Sequence, residues 1–414
     1  MTPLALDAKS QADTTKAEVL TEAIVSGVRA QKNAPYAVAN VGRKALQDFS
    51  GTGKELPFLL STTPGVLSWS GNGLGIGTSY LRIRGAGDSR INVTVDGVPL
   101  NSPEDQCVFW ANMNSYSALM ESVQIQRGVG SSTNGDGAFG GSVALRTKAP
   151  SYDPFVELNA SYGSYNTYNT GFSMSTGLLG NHFVADAAFH TTGTDGYIHG
   201  TAGKSGSWYA GLNWIGRDFI IRYRNIGNYE HTGQAWNGVT AGTDDLSIMD
   251  GTYGKNTGIK TYADMYREGL GKFNSLYESM DPKTYETTRY TLNDGSYWPK
   301  TTDNFWQDHN ILSAAWNINE NLKTTLSLHY TYGYGYYDEF KPDSKVSKFG
   351  FDMVKSNGKP LRSDFVRQKG LSQNAAGVVY NISYNNNGWD VIGGLSGQMF
   401  WGNHFGYLTY VSNK

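Results

Sequence analysis

The sequence predicts a mainly β protein in two parts. A small α+β unit over residues 28–150 follows a polar tail, and residues 151–414 begin an antiparallel, membrane-crossing β-barrel. Three observations predict this. From Phe155 onward apolar and polar residues alternate in long runs, the period of strands with one greasy and one wet face. The links between those runs are tight polar turns and long loops by turns. Upstream, shorter alternating runs are cut by glycine-rich reversals.

Composition is consistent with such a chain. Its 414 residues include 51 glycines and 27 tyrosines, only 17% are charged, and the formal net charge is -2, which argues against nucleic acid as a partner. No apolar run approaches the roughly 18 residues of a transmembrane helix. The mean hydropathy of -0.43 does not exclude a membrane, because a barrel strand shows only alternate residues to lipid. Cys107 is the only cysteine, so there is no intramolecular disulfide or multi-thiolate metal site, and it reads as a loop residue. The start, with an acid at Asp7 and no apolar core, is not a secretion signal.

In chain order, residues 1–18 read as a disordered tail and VLTEAIVSG (19–27), by itself, as a first strand. Residues 28–53 read as a polar connector and Glu55 to Leu60 as a short helix. WSGNGLGIGTSY (69–80) and NSPEDQCVFWANMNSY (101–116) read as loops. Leu81 and Ile83, then Ile91, Val93 and Val95, are spaced as two strands of a hairpin reversed at GAGDS, with DGVP (96–99) as a second turn. Val123 and Ile125, then Val143 and Leu145, alternate on either side of the excursion from Gly128 to Gly141. Gly135, Gly137 and Gly140 form a G-x-G-x-x-G match. It is rejected as a nucleotide site because the strand-like SVALRT, not a helix, follows it.

In the second part, Val156, Leu158, Ala160 and Tyr162 alternate with Glu157, Asn159, Ser161 and Gly163. Leu326, Leu328, Tyr330, Tyr332, Tyr334 and Tyr336 do the same against Thr325, Ser327, His329, Thr331, Gly333 and Gly335. Similar runs near 168–178, 183–191, 207–215, 219–227, 311–318, 376–384 and 389–401 give about nine strands. Every second link is short: LLGN (178–181), IGRD (215–218), NINEN (317–321) and NNNG (385–388). The others run from 163–167 and 192–206 to the very long 228–310 and 338–375. Outer-membrane barrels have short periplasmic turns and long external loops, so the chain enters its first strand from the periplasm. A soluble propeller or sandwich would space short strands evenly without this asymmetry. Trp208, Trp214, Trp401 and Tyr407 suit interfacial girdles. The seven histidines lack zinc-type spacing and no serine or carboxylate pair sits in a catalytic context, so the chain is not read as an enzyme and no protein-bound metal is assigned.

KELPFLLSTTPGV (54–66), LRIRGAGDSRINVTVDGVPLN (81–101), FWANM (109–113) and SVQIQRGVGSSTNGDGAFGGSV (122–143) together resemble, in order, the plug of a TonB-dependent outer-membrane receptor. The wording is closest to the iron-siderophore type of Bacteroidetes-like bacteria, and SYWPKTTDNFWQDHNIL (296–312) resembles a barrel segment of that subgroup. The resemblance implies a tail with a TonB box over 1–27, here Glu22, Ala23, Ile24, Val25 and Ser26, a plug over 28–150 and barrel from 151. It implies that Arg84 and Arg127 pair with wall carboxylates to hold the plug, and that the loops 69–80 and 101–116 floor a ligand chamber. Phe109 and Trp110 would there touch ligand or anchor the plug. Trp236, Tyr253 and Trp298 in the long external loop are further contact candidates. The implied function is import of a ferric siderophore or similar iron chelate by a receptor in outer-membrane lipid, energised by TonB and its inner-membrane complex. The intact receptor would be monomeric and carry no cofactor. An importer of oligosaccharide, peptide or cobalamin shares this architecture, and a passive porin or adhesin is the reading from another class. Such barrels have about 22 strands, and an open one leaves unpaired backbone groups in lipid, so the sequence is read as a truncated receptor not expected to transport alone.

Overall fold

The computed structural model describes residues 29–30, 37–129, 139–236, 262–281, 284–352 and 355–412. The N-terminal unit runs β1 (Ala37–Gly42), α1 (Arg43–Ser50), α2 (Leu56–Leu60), β2 (Val66–Ser70), β3 (Ser79–Ile83), β4 (Ile91–Val95), β5 (Val98–Pro99), α3 (Tyr116–Leu119), β6 (Met120–Arg127) and β7 (Gly141–Thr147). Its five-stranded sheet has the order β1-β6-β7-β4-β5. β4 is buried along its whole length and lies parallel to β7, which it meets from Ile91↔Gly141 to Val95↔Leu145.

Three expectations change here. The segments at 81–83 and 91–95 do not form a hairpin. β3 pairs instead with β2, from Val66↔Ile83 to Ser70↔Ser79, with the Trp69 and Tyr80 rings stacked at 5.1 Å. The cause is that GAGDS is consumed locally: an Ile83–Ala86 bridge and a single helical turn at Asp88–Arg90 swing the chain out of one sheet before it enters the other. Residues 28–53 are not merely a connector, since β1 pairs with β6 along its length and α1 buries Leu46. The loops at 69–80 and 101–116 are also shorter than expected, because their ends belong to β2, β3 and α3. The helix at 56–60 is present, with Pro57 in its first turn, where proline has no backbone N–H to waste.

The wall is a nine-stranded antiparallel meander. It comprises β8 (Pro154–Gly163), β9 (Thr167–Thr176), β10 (Phe183–Thr194), β11 (Gly203–Ile215) and β12 (Phe219–Gly233). A small outer hairpin follows, β13 (Glu278–Met280) with β14 (Thr287–Arg289), and then β15 (Thr302–Asn317) and β16 (Leu322–Lys345). After β17 (Lys355–Ser356) and β18 (Lys359–Pro360) come β19 (Arg362–Asn386) and β20 (Trp389–Val411). Each of the nine lies beside its sequence neighbour in the wall, in the order β20-β19-β16-β15-β12-β11-β10-β9-β8. The two faces follow the alternation. On β16, Leu326, Leu328, Tyr330 and Tyr334 are 41 to 48% exposed, whereas Thr325, Ser327 and His329 are 5 to 6% exposed. Polar residues thus face the plug and apolar ones face out.

The tight turns fall where expected, between β9 and β10, β11 and β12, β15 and β16, and β19 and β20. The opposite ends of the strands overrun the sequence reading. β12 continues to Gly233, β15 begins at Thr302, and β16 and β19 have 24 and 25 residues. At about 3.4 Å per residue and a tilt near 45°, such a strand rises roughly 55 Å, twice the apolar band of a barrel. Beyond the lipid both faces meet water, so hydrophobic alternation fades while the backbone ladder continues. One apolar cluster joins the two parts: the plug core, with Leu81, Ile91, Val93, Val123 and Val143, extends to Ala188, Tyr209, Ile226 and Ile311 of the wall.

Placing a charge at the middle of the outward face should prevent insertion. Leu328→Lys is expected to cost about 2–4 kcal/mol in lipid, read as a shift in the urea midpoint of folding into vesicles. An equally exposed site on a soluble sheet would move by less than about 0.5 kcal/mol.

Candidate functional site

The plug meets the wall through charge. Asp96 opens the DGVP turn in the left-handed region, at φ 47°, and this points its carboxylate out of the sheet. One oxygen accepts the Thr147 backbone N–H at 2.9 Å. The other takes the Thr147 hydroxyl at 2.5 Å and an ion pair with the Arg224 guanidinium. Arg224, on the inward face of β12, also donates to Ser313 Oγ at 2.5 Å, and Ser313 in turn shares a bond with Ser327. Arg222, one inward position away, donates to Asn213 Oδ1 at 3.0 Å, to Thr147 Oγ1 at 3.3 Å and to the Lys148 carbonyl at 2.8 Å. Both arginines are fully buried and Asp96 is 1% exposed.

Burial pushes the Asp96 carboxyl up, but the neighbouring Arg224 and Arg222 charges and the Thr147 bonds outweigh it and hold it below the ordinary carboxylate range. A depressed carboxylate stabilises the folded state above its unfolded value, near pH 4, and loses that contribution as pH falls through its lower folded value. Asp96→Ala should therefore leave the buried Arg224 guanidinium without its ion-pair partner and cost about 3–5 kcal/mol. The expected readout is proteolysis of the plug at neutral pH, with the gap from wild type closing as the pH is lowered past the carboxylate range.

At the loop end of the wall, a cavity of about 510 Å³ lies between the plug apex and the outer strand ends. Its wall is aromatic, with Phe109, Trp236, Phe305, Tyr336 and Tyr337, and acidic, with Asp88, Asp105, Glu230 and Asp303. Two contacts tie the apex to the strands. Glu104 accepts from His404 of β20 at 2.8 Å, and Thr78 donates to Gln234 at 2.5 Å. Under this floor Glu55 is buried, accepting the Gly77 N–H at 2.6 Å. Burial raises its carboxyl from 4.5 to about 8, against the smaller opposing pull of the Ser79 hydroxyl and the Gly77 N–H. Here the sign is reversed. The contribution is complete below pH 4.5 and is lost as pH rises toward 8, so Glu55→Gln should gain thermal stability over wild type progressively between pH 5 and 9.

Of the residues singled out in the sequence, Phe109, Trp110 and Trp236 line this cavity, Trp110 with only 2% of its surface exposed. Trp298 does not reach it, being buried against Phe340 at a ring distance of 5.8 Å. Tyr253 and the segment Glu22 to Ser26 lie outside the described residues. Arg84 is exposed, and Arg127 donates to the Pro64 carbonyl at 2.8 Å within the plug. Among the described residues neither meets a wall carboxylate, and the buried ion pair that crosses the boundary is Asp96 with Arg224. Sequence reading passed over Asp96, Arg222 and Arg224. The available signal was the inward register of β12, Ile220, Arg222, Arg224, Ile226, where two cations interrupt an apolar face opposite a lone aspartate turn. No group of three or more His, Cys, Asp or Glu able to hold a metal ion occurs among the described residues.

Residues 30–142 match the family model for the TonB-dependent Receptor Plug Domain. Among solved structures, the chain resembles the ferric-catecholate import receptor Fiu of E. coli K12 at 14% identity, covering 89% of this chain and 50% of that one, with a TM-score of 0.61. It resembles BauA, the ferric preacinetobactin receptor of Acinetobacter baumannii, at 12% identity, covering 92% and 49%, also at 0.61. It also resembles the copper transporter OprC at 12% identity, covering 92% and 48%, at 0.59. No curated protein matches by sequence. The chain spans about half the length of these solved structures. Residues 30–142 are thus a plug domain of this family, and with the nine strands that follow the chain shares the fold of about half of such an outer-membrane receptor.

Proposed function

We propose that this chain belongs to an energised outer-membrane importer of a ferric siderophore or similar iron chelate. The observation that carries the reading is the aromatic cavity roofing the plug, of a size for a small chelate, in a fold shared with receptors described as importing ferric-catecholate and ferric preacinetobactin. Phe109 at 54% exposure and Trp236 offer the flat apolar contacts that a chelate's ligand rings would use.

Capture at the apex acts on the plug through the ties at Glu104 and Thr78, and release of the plug requires the Asp96–Arg224 pair to part. The tail, residues 1–27, precedes the plug, 28–150, and its Glu22 to Ser26 segment is offered to TonB by strand addition, a mode that depends on main-chain bonds rather than on particular side chains. Energy comes from the inner membrane, since the sequence holds no phosphate-binding loop.

Two measurements test this. In detergent solution the chain should quench on titration with ferric catecholate or hydroxamate chelates and not with oligosaccharide, cobalamin or copper(II), and Phe109→Ala should weaken that binding about tenfold, roughly 1.4 kcal/mol. Deleting residues 19–27 should abolish co-purification with the periplasmic domain of TonB and leave chelate binding intact. Binding of a glycan or cobalamin instead would move the substrate class, and TonB binding that survives the deletion would remove the box.

A further inference from the structure

The outward face of the wall carries a polar network where lipid is expected. On adjacent strands, Trp208 Nε1 donates to Asn225 Oδ1 at 2.8 Å, and Asn225 Nδ2 donates to Asp308 Oδ1 at 2.9 Å and to Asn310 Oδ1 at 3.1 Å. Trp306 Nε1 donates to Asp308 Oδ2 at 3.0 Å, and Tyr223 OH to Asn310 Oδ1 at 2.7 Å. These residues share the outer face with Leu312, Trp316, Leu326 and Leu328, all of them exposed. The Trp208 and Trp306 rings lie 4.6 Å apart. Trp208 can reach across because its neighbour on β12 is Gly227, paired with it in register, where a Cβ would run into the indole.

The depth of the network follows from strand geometry. Trp316 sits by the periplasmic turn, and Asp308 lies about 27 Å further along β15, or roughly 20 Å along the membrane normal at a 45° tilt. That is within about 5 Å of the upper edge of an apolar band about 25 Å tall, close to the outer headgroups. A carboxylate there is costly unless it is paired. Among the described residues no Lys, Arg or His forms an ion pair with Asp308, and both its oxygens are held by neutral donors. The donors leave one lone pair free on each Asp308 oxygen and one on Asn225 Oδ1.

We infer that this patch seats the primary ammonium of an amine-bearing lipid headgroup. Three N–H donors match three free acceptors, and the carboxylate supplies the opposite charge. A divalent ion is the weaker fit, since Asp308 is the single anionic ligand in the patch.

The test is native mass spectrometry of the chain in micelles doped with equal amounts of phosphatidylethanolamine and phosphatidylglycerol, with and without EDTA. Wild type should retain phosphatidylethanolamine about fivefold over phosphatidylglycerol, unchanged by EDTA. Asp308→Asn, which keeps the shape of the side chain, should lose the preference, and Asp308→Glu should keep part of it. Equal retention of both lipids by wild type, or a preference that survives in Asp308→Asn, would overturn the assignment. So would a preference that vanishes with EDTA, because a metal ion would then be the occupant.

Discussion

The seam between plug and wall depends on a buried charge balance. Two guanidiniums, Arg222 and Arg224, project from one strand into a lumen that excludes water, and the wall presents them mainly with neutral acceptors, Asn213 and Ser313. The wall's own Asp186 reaches Arg222 through Asn213, and the anion that pairs with Arg224 comes from the plug, as Asp96. Such pairs add little net stability, because desolvation cancels most of their attraction. Their effect is on uniqueness. The apolar contacts of Ile226 and Tyr209 with the plug tolerate sliding, whereas a carboxylate fixed by Thr147 at one side and by Arg224 at the other admits one rotation of the plug in the barrel.

Glycine supplies the wall with a second kind of order. His190 lies over Gly171 of the next strand and His329 over Gly377, on the lumen side, just as Trp208 lies over Gly227 outside. A strand that lacks a side chain lets its neighbour's ring lie flat on the ladder instead of standing off it. The lumen then stays wide enough for the plug, and the outer surface stays smooth enough for acyl chains. The joint abundance of glycine and aromatics in the sequence thus describes a packing mode, one in which large rings are borne by backbone.

This explains which parts were legible in the sequence. The alternation of Leu326 to Tyr336 marks a strand because lipid and lumen impose opposite demands on successive residues, and the short turn at 317–321 marks its periplasmic end. The signal stops at the membrane surface, so the outer reaches of β12, β15, β16 and β19 looked like loop. In the plug, Leu81–Ile83 and Ile91–Val95 were legible as strands but not as partners. Pairing depends on a turn at Asp88–Arg90 that diverts the chain, and on the remote β7. Site residues fared unevenly for the same reason. Phe109 and Trp236 were found by type, as aromatics in loops, and Trp298 by the same token misled, since a loop tryptophan also serves to pack on Phe340. Asp96 and Arg224 lie 128 residues apart in sequence, and no local pattern links them.

The edges of the wall carry one more consequence. With nine strands alternating in direction, β8 and β20 run the same way, so joining them directly would need a parallel pair in an otherwise antiparallel sheet. An antiparallel closure therefore interposes an odd number of strands between them. The outward residues Val156, Leu158 and Leu395 next to these edges are 72 to 79% exposed. Arg84 is exposed on the plug and Arg127 bonds the Pro64 carbonyl, and among the described residues neither meets a carboxylate of the nine strands. If they hold carboxylates of a barrel, as the resemblance in the plug motifs implies, those carboxylates belong to strands placed between β20 and β8. The plug would then be gripped from opposite sides by charges of opposite sense: its anion by wall cations on β12, and its cations by wall anions across the lumen.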